Sequence, residues 1–129
     1  MSNVKEVPVF LFTGFLESGK TKFIQETLED KRFNSGERTL LVVCEEGEEE
    51  YAPDKFSAPN VFMVTVEEPE ELTRDAFRKW LDQYKCERCV IEYNGMWMLD
   101  DLYQALPEMW MVYQEFFFAD ARSILSYNA

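Results

Sequence analysis

Four residues at fixed spacing, Gly14, Gly19, Lys20 and Thr21, form the pattern Gly-x-x-x-x-Gly-Lys-Thr. This pattern predicts a phosphate-binding loop. The two glycines let the backbone turn tightly and present N–H groups to phosphate oxygens. Lys20 adds a mobile positive charge that can follow a transferring phosphoryl group, and Thr21 supplies a hydroxyl that can hold Mg²⁺. The alternative is a glycine turn between a strand and a helix that leaves the lysine exposed.

The segments around this loop alternate between strand-like and helix-like patterns. Short apolar runs, typical of strands buried on both faces, lie at 8–12, 39–44, 61–66, 89–93 and 111–119. Helical spacing of apolar residues marks 20–30, 69–84 and 98–106, the second of these opened by a proline and the third stopped by one. This order predicts a single domain over 1–129 with an α/β fold, in which helices cover both faces of a doubly wound, mostly parallel sheet of about five strands.

Composition narrows the range of partners. The chain has 129 residues and a net charge of −12, which disfavours nucleic acid and anionic membranes because of long-range repulsion. It has no histidine, so histidine-based catalytic triads are excluded, and its three cysteines are expected to be reduced. We found neither a secretory signal pattern nor an apolar run long enough to span a membrane, and we therefore expect a cytoplasmic protein.

Three stretches together resemble the CobW-type P-loop GTPases. They are residues 9–21, the acidic segment that follows the second strand, and the sequence Ile91-Glu92-Tyr93-Asn94-Gly95. The resemblance implies a P-loop NTPase of the SIMIBI class that binds Mg²⁺ and GTP and hydrolyses GTP. It also implies a role in handling zinc or cobalt as cargo, with a metal-receiving protein as partner.

Carried over to this chain, the resemblance assigns roles to individual residues. Glu92 would lie behind the magnesium shell, and the Gly95 N–H would face the γ-phosphate. Glu46 corresponds to a switch-region glutamate and is our candidate for positioning the attacking water. The phosphate and magnesium loop would consist of Gly14, Gly19, Lys20 and Thr21.

The sequence also departs from the family pattern. Glu17 and Ser18 replace small residues inside the loop, and an inward Glu17 carboxylate would weaken phosphate binding by repulsion. Lys22 stands where a second threonine is usual and is a further candidate for phosphate contact. Neither the family's Cys-x-Cys-Cys metal motif nor its Asn-Lys-x-Asp base-reading motif occurs in this sequence. We therefore expect either an amino-terminal portion of a longer GTPase or a short homologue that has lost base specificity.

Other features allow different interpretations. The pair Cys86 and Cys89 has the spacing of half a zinc site, but a structural interpretation, with Cys89 in a strand and Cys86 at its exposed start, is favoured. The acidic run at 45–50 is read as a solvated loop, with Glu46 as the exception. The methionines and tryptophans at 96–98 and 109–111 are expected in the core. If the sheet lacks its last strands, the strand at 116–118 would form an uncovered edge that favours dimerisation.

Two further functions remain open. One is a binding module with negligible turnover that recruits a partner through the apolar edge. The other is a small-molecule kinase, which would need an arginine-rich lid, and Arg74, Arg78 and Arg88 do not form an obvious one.

Overall fold

A computed structural model describes residues 6–14, 19–44, 50–120 and 123–128 of the chain. In this part of the chain, six strands form one sheet in the order β3-β2-β4-β1-β5-β6. The strands are β1 (Val7–Gly14), β2 (Thr39–Val43), β3 (Val61–Thr65), β4 (Arg88–Glu92), β5 (Trp110–Asp120) and β6 (Ser123–Asn128). The first five are parallel, whereas β6 pairs antiparallel with β5.

Within the described ranges, three α-helices cover the sheet. They are α1 (Lys20–Glu29), α2 (Arg74–Tyr84) and α3 (Leu99–Ala105). Ile24 and Leu28 of α1 pack with one set of buried strand residues, and Phe77 of α2 and Leu102 of α3 pack with the other. The connection from β1 to β2 and the connections into β4 and β5 run in opposite directions along the sheet, so their helices cover opposite faces. The prediction of an α/β fold with a mostly parallel sheet is confirmed.

The edge of the sheet formed by the last part of the chain differs from the prediction. The sixth strand was not predicted, and it pairs along β5 from Gln114 to Asp120. Because β5 has β1 on its other side, residues 116–118 are an interior part of the sheet and not an uncovered edge. The argument for dimerisation through this strand is therefore wrong for the described sheet.

The second predicted helix begins later than its sequence pattern suggested. Pro69–Glu71 forms a separate 3₁₀ turn, and α2 starts only at Arg74. The Thr73 hydroxyl accepts a hydrogen bond of 3.1 Å from the Ala76 N–H, which caps the helix, while Leu72 is buried before it. A side-chain cap and a buried leucine thus determined the start more strongly than the proline did.

Candidate phosphate and cation site

The predicted phosphate loop begins where β1 ends and finishes where α1 begins. Gly14 is the last residue of β1 and has a φ of +133°, and Gly19 precedes α1 with a φ of +95°. Both values lie in the region that favours glycine, because a side chain would clash with the backbone there. Glu17 and Ser18 lie between them, outside the described residues, so the structure does not test their predicted roles.

Lys20 lies inside the fold. Only 2% of it is exposed, and its Nζ donates a 2.8 Å hydrogen bond to the Gly14 carbonyl oxygen. The ammonium group is therefore held at the carboxyl end of β1, across the loop from its own backbone. The alternative of a glycine turn with an exposed lysine does not describe this residue.

The first turn of α1 contributes no negative charge of its own. It contains no acidic residue, and no described side chain caps Gly19. The positive end of the helix dipole therefore adds to the charge of Lys20. Lys22, in the same turn, is exposed to solvent.

Glu92 connects this turn to a distant part of the chain. Thr21 Oγ1 donates a 2.7 Å hydrogen bond to Glu92 Oε2, across 71 residues of sequence. The sheet explains the contact, because β4 lies beside β1 and Glu92 is in register with Phe12. Only 2% of Glu92 is exposed. The structure thus brings together Lys20, Thr21 and Glu92, as the sequence analysis expected.

Gly95 lies against the start of the same loop. A Cβ atom placed on Gly95 would be 1.9 Å from the Gly14 carbonyl oxygen, so only glycine fits without a backbone shift. The turn that carries Gly95 is fixed by Asn94, whose Oδ1 accepts a 2.8 Å hydrogen bond from the Met96 N–H. Gly95 therefore lies at the predicted site, where its small size allows two backbone segments to meet.

Tyr51 is a member of this cluster that the sequence analysis missed. Its hydroxyl donates a 2.5 Å hydrogen bond to Glu92 Oε1. Burial, together with the negative charge of Glu92, raises the pKa of Tyr51 above its usual range, so the hydroxyl keeps its proton. The available signal was its position just after the acidic run beyond β2, where the carboxyl ends of parallel strands meet.

Glu46, the candidate for positioning water, lies outside the described residues. The neighbouring Glu50 is described and exposed. Among the described residues, no group of three or more cysteine, aspartate or glutamate side chains could hold a metal ion. The predicted cargo metal therefore has no such ligand cluster in that part of the chain.

The cysteine pair is buried. Cys86 is 5% exposed, which corrects the expectation of an exposed strand start, and Cys89 is 0% exposed. Burial raises the pKa of Cys86 to about 11 and that of Cys89 well above its usual value. Both thiols are thus protonated at neutral pH, which agrees with a structural role.

The methionines expected in the core are at the surface. Met96 is 86% exposed and Met98 is 66% exposed, and both flank the turn that carries Gly95. The sequence analysis was wrong about them because the hydrogen bonds of this turn, including the 2.7 Å bond from the Tyr93 hydroxyl to the Met98 carbonyl, fix the backbone and leave these side chains outside. Met109 and Met111 are exposed as well, whereas Trp110 is buried.

The three arginines considered for a kinase lid do not meet. Arg88 is buried at the start of β4, where its guanidinium donates to Thr39 Oγ1 and to the Phe33 carbonyl oxygen, each at 2.6 Å. Arg74 donates to the Gln104 carbonyl oxygen, and Arg78 pairs with Asp75 on the same helix. Each arginine has its own local structural partner.

Comparison of the chain with protein-family models, with curated proteins and with solved structures gave no match in any of the three. Within the described residues, no helix is long and apolar enough to cross a membrane.

Proposed function

We propose that this chain is a Mg²⁺-dependent nucleotide-binding protein of the P-loop NTPase class that hydrolyses GTP. The observation that carries the proposal is the contact between Thr21 and Glu92 beside the buried Lys20. A lysine, a hydroxyl and a carboxylate at the start of a helix are the groups that phosphate and Mg²⁺ require. GTP as the nucleotide rests on the resemblance to CobW-type GTPases.

The side chains present fit a magnesium ion. Magnesium prefers oxygen ligands and keeps several of its waters, so it needs few ligands from the protein. The Thr21 hydroxyl donates a hydrogen bond to Glu92, which leaves the lone pairs of its oxygen available to a cation. Bound Mg²⁺ would neutralise charge on the phosphates. Glu92, whose oxygens accept from Thr21 and Tyr51, would act through these hydroxyls and not as a direct ligand.

Lys20 and the helix amino end supply the electrostatic part of the function. Nζ lies at the end of β1, where a small movement would exchange the Gly14 carbonyl oxygen for a phosphate oxygen. Preorganised positive charge in a buried place stabilises negative charge that develops in the transition state. Glu46 remains our candidate for the residue that positions water. Zinc or cobalt handling, and a metal-receiving partner, are proposed from the family resemblance.

Calorimetric titration of GTP and of ATP, each with Mg²⁺, into the protein and into Lys20→Ala tests the proposal. We expect GTP binding that Lys20→Ala abolishes, with slow phosphate release by the unmodified protein only. Lys22→Ala is the matched control, because Lys22 is exposed in the same turn and should have a much smaller effect. Absence of nucleotide binding by the unmodified protein would refute the proposal.

A second candidate function is an interaction module that binds nucleotide without appreciable turnover. The observation that favours it is the exposure of Met96 and Met98 on the turn that contacts the phosphate loop through Gly95. Exposed methionines adapt to apolar partners. Binding of GTP without release of phosphate would support this candidate over the enzyme.

A further inference from the structure

Two hydroxyl groups from different segments converge on one buried carboxylate. Thr21 Oγ1 lies 2.7 Å from Glu92 Oε2, and the Tyr51 hydroxyl lies 2.5 Å from Glu92 Oε1. Each carboxylate oxygen therefore accepts a hydrogen bond from a side chain of its own. A carboxylate held at both oxygens cannot rotate without breaking one of these bonds.

Tyr51 is itself held in place by α1. The Gln25 side chain accepts a 2.9 Å hydrogen bond from the Ala52 N–H and donates a 3.0 Å bond to the Ala52 carbonyl oxygen. Gln25 lies one helical turn after Thr21. Hydrogen bonds therefore link Thr21 to Glu92 and Glu92 to Tyr51. The residue after Tyr51, Ala52, is bonded back to α1 through Gln25.

We propose that Tyr51 is a positioning residue of the cation site, whose hydroxyl fixes Glu92 so that Glu92 in turn orients the Thr21 hydroxyl toward a bound Mg²⁺. This inference rests on the proposed function. The Thr21 proton points at Glu92 only while the carboxylate keeps its orientation, and the lone pairs of the Thr21 oxygen follow that proton. Removing the Tyr51 hydroxyl frees one side of the carboxylate and weakens this orientation.

The substitution Tyr51→Phe isolates the hydroxyl. The Tyr51 ring packs against the cluster of buried residues that includes Phe12 and Leu41, and phenylalanine retains this packing. The Tyr51 hydroxyl is the donor in the 2.5 Å bond to Glu92, so the substitution removes one donated hydrogen bond. The variant is therefore expected to fold and to differ only where the hydroxyl makes its contacts, at Glu92 and at the neighbouring Thr21 hydroxyl.

The test measures GTP affinity by calorimetry at a series of free Mg²⁺ concentrations, beginning in EDTA. The midpoint is the Mg²⁺ concentration that gives half of the full gain in GTP affinity. For Tyr51→Phe we expect this midpoint to rise roughly tenfold, because loss of a group that orients a metal ligand typically weakens metal binding by that factor. Affinity in EDTA should stay within about twofold, because the substitution removes a neutral hydroxyl and leaves the charge of Lys20 and its bond to Gly14 in place. Gln25→Ala should shift the midpoint in the same direction by a smaller factor.

Tyr113→Phe is the matched control. It also removes a tyrosine hydroxyl that donates to a glutamate, at 2.7 Å from Glu6 Oε1, but it lies on the exposed part of β5. We expect no shift in its Mg²⁺ midpoint. A midpoint for Tyr51→Phe equal to that of Tyr113→Phe would overturn the inference.

Two other outcomes would also overturn it, and they are distinguishable. An equal loss of affinity with and without Mg²⁺ would assign Tyr51 a general structural role while leaving the proposed function intact. If the unmodified protein bound no nucleotide at any Mg²⁺ concentration, the proposed function would fail and this inference with it.

Discussion

The two ends of β4 each carry a buried charged residue, and the two residues have different surroundings. Arg88, at the first position, donates to the Thr39 hydroxyl and the Phe33 carbonyl oxygen and lies 4.1 Å from the centre of the Phe33 ring. A longer contact joins it to Glu37 at 3.7 Å. Glu92, at the last position, accepts hydrogen bonds from two hydroxyl groups.

This difference separates a structural charge from a candidate functional one. Two of the partners of Arg88, a backbone carbonyl and an aromatic ring, are fixed by the fold and hold the guanidinium in place. The partners of Glu92 are hydroxyls, which can donate to the carboxylate and still offer lone pairs to a cation. Burial of a charge alone does not indicate a site, whereas the chemistry of its partners does.

The largest effect should come from Arg88→Ala. Removal of the guanidinium leaves several buried acceptors without a donor, and we expect the free energy of unfolding to fall by about 3 kcal/mol or more. Urea denaturation measures it. Arg78→Ala, which removes an exposed arginine with one 3.9 Å ion pair, should change stability by less than about 0.5 kcal/mol. A loss near that of the control would contradict a structural role for Arg88.

The next effect concerns Glu92→Gln. The amide can still accept one hydroxyl proton, so we expect stability within about 1 kcal/mol of the unmodified protein. GTP affinity at saturating Mg²⁺ should nevertheless fall about ten- to a hundredfold. Glu37→Gln, which alters the carboxylate near Arg88 instead, should leave affinity unchanged. If both variants bind GTP normally, the contrast between the two ends of β4 has no functional meaning.

The smallest effect is a loss of stability at alkaline pH, and it comes from Cys86, which lies just before the amino end of β4. Burial raises the pKa of Cys86 from 9.0 to about 11, so the unfolded chain loses this proton first. Stability from this group is complete below pH 9 and is lost as the pH rises toward 11. At pH 10 the loss is about 1 kcal/mol. Denaturation at a series of pH values should show a shallower decline for Cys86→Ala, and an identical decline would refute this assignment.

The main elements could be predicted because their signals are local. Apolar runs marked the five parallel strands, and the helical spacing of Ile24 and Leu28 marked α1. The motif placed Thr21, and the family resemblance placed Glu92, at one magnesium site, and the structure brings the two side chains into contact.

The remaining parts depend on contacts between distant residues. Tyr51 contacts a residue 41 positions away through a 2.5 Å hydrogen bond. Its position after the acidic run places it near the carboxyl ends of the strands but does not indicate which residue it contacts. The exposure of Met96 could not be predicted, because a methionine in a turn and a methionine in the core look the same in the sequence. The strand β6 was not predicted, because it follows β5 so closely that the sequence gives no separate apolar pattern for it.

The position of β1 inside the sheet has a consequence for biosynthesis. Synthesis proceeds from the amino end, so β1 leaves the ribosome before β4 and β5, the two strands that flank it. Val9 and Leu11, both 0% exposed in the folded chain, have no neighbouring strand until the chain has been extended through β4. The nascent chain therefore carries an unpaired apolar strand from the synthesis of β1 until that of β4, and such exposed strands are what chaperones bind and where aggregation begins.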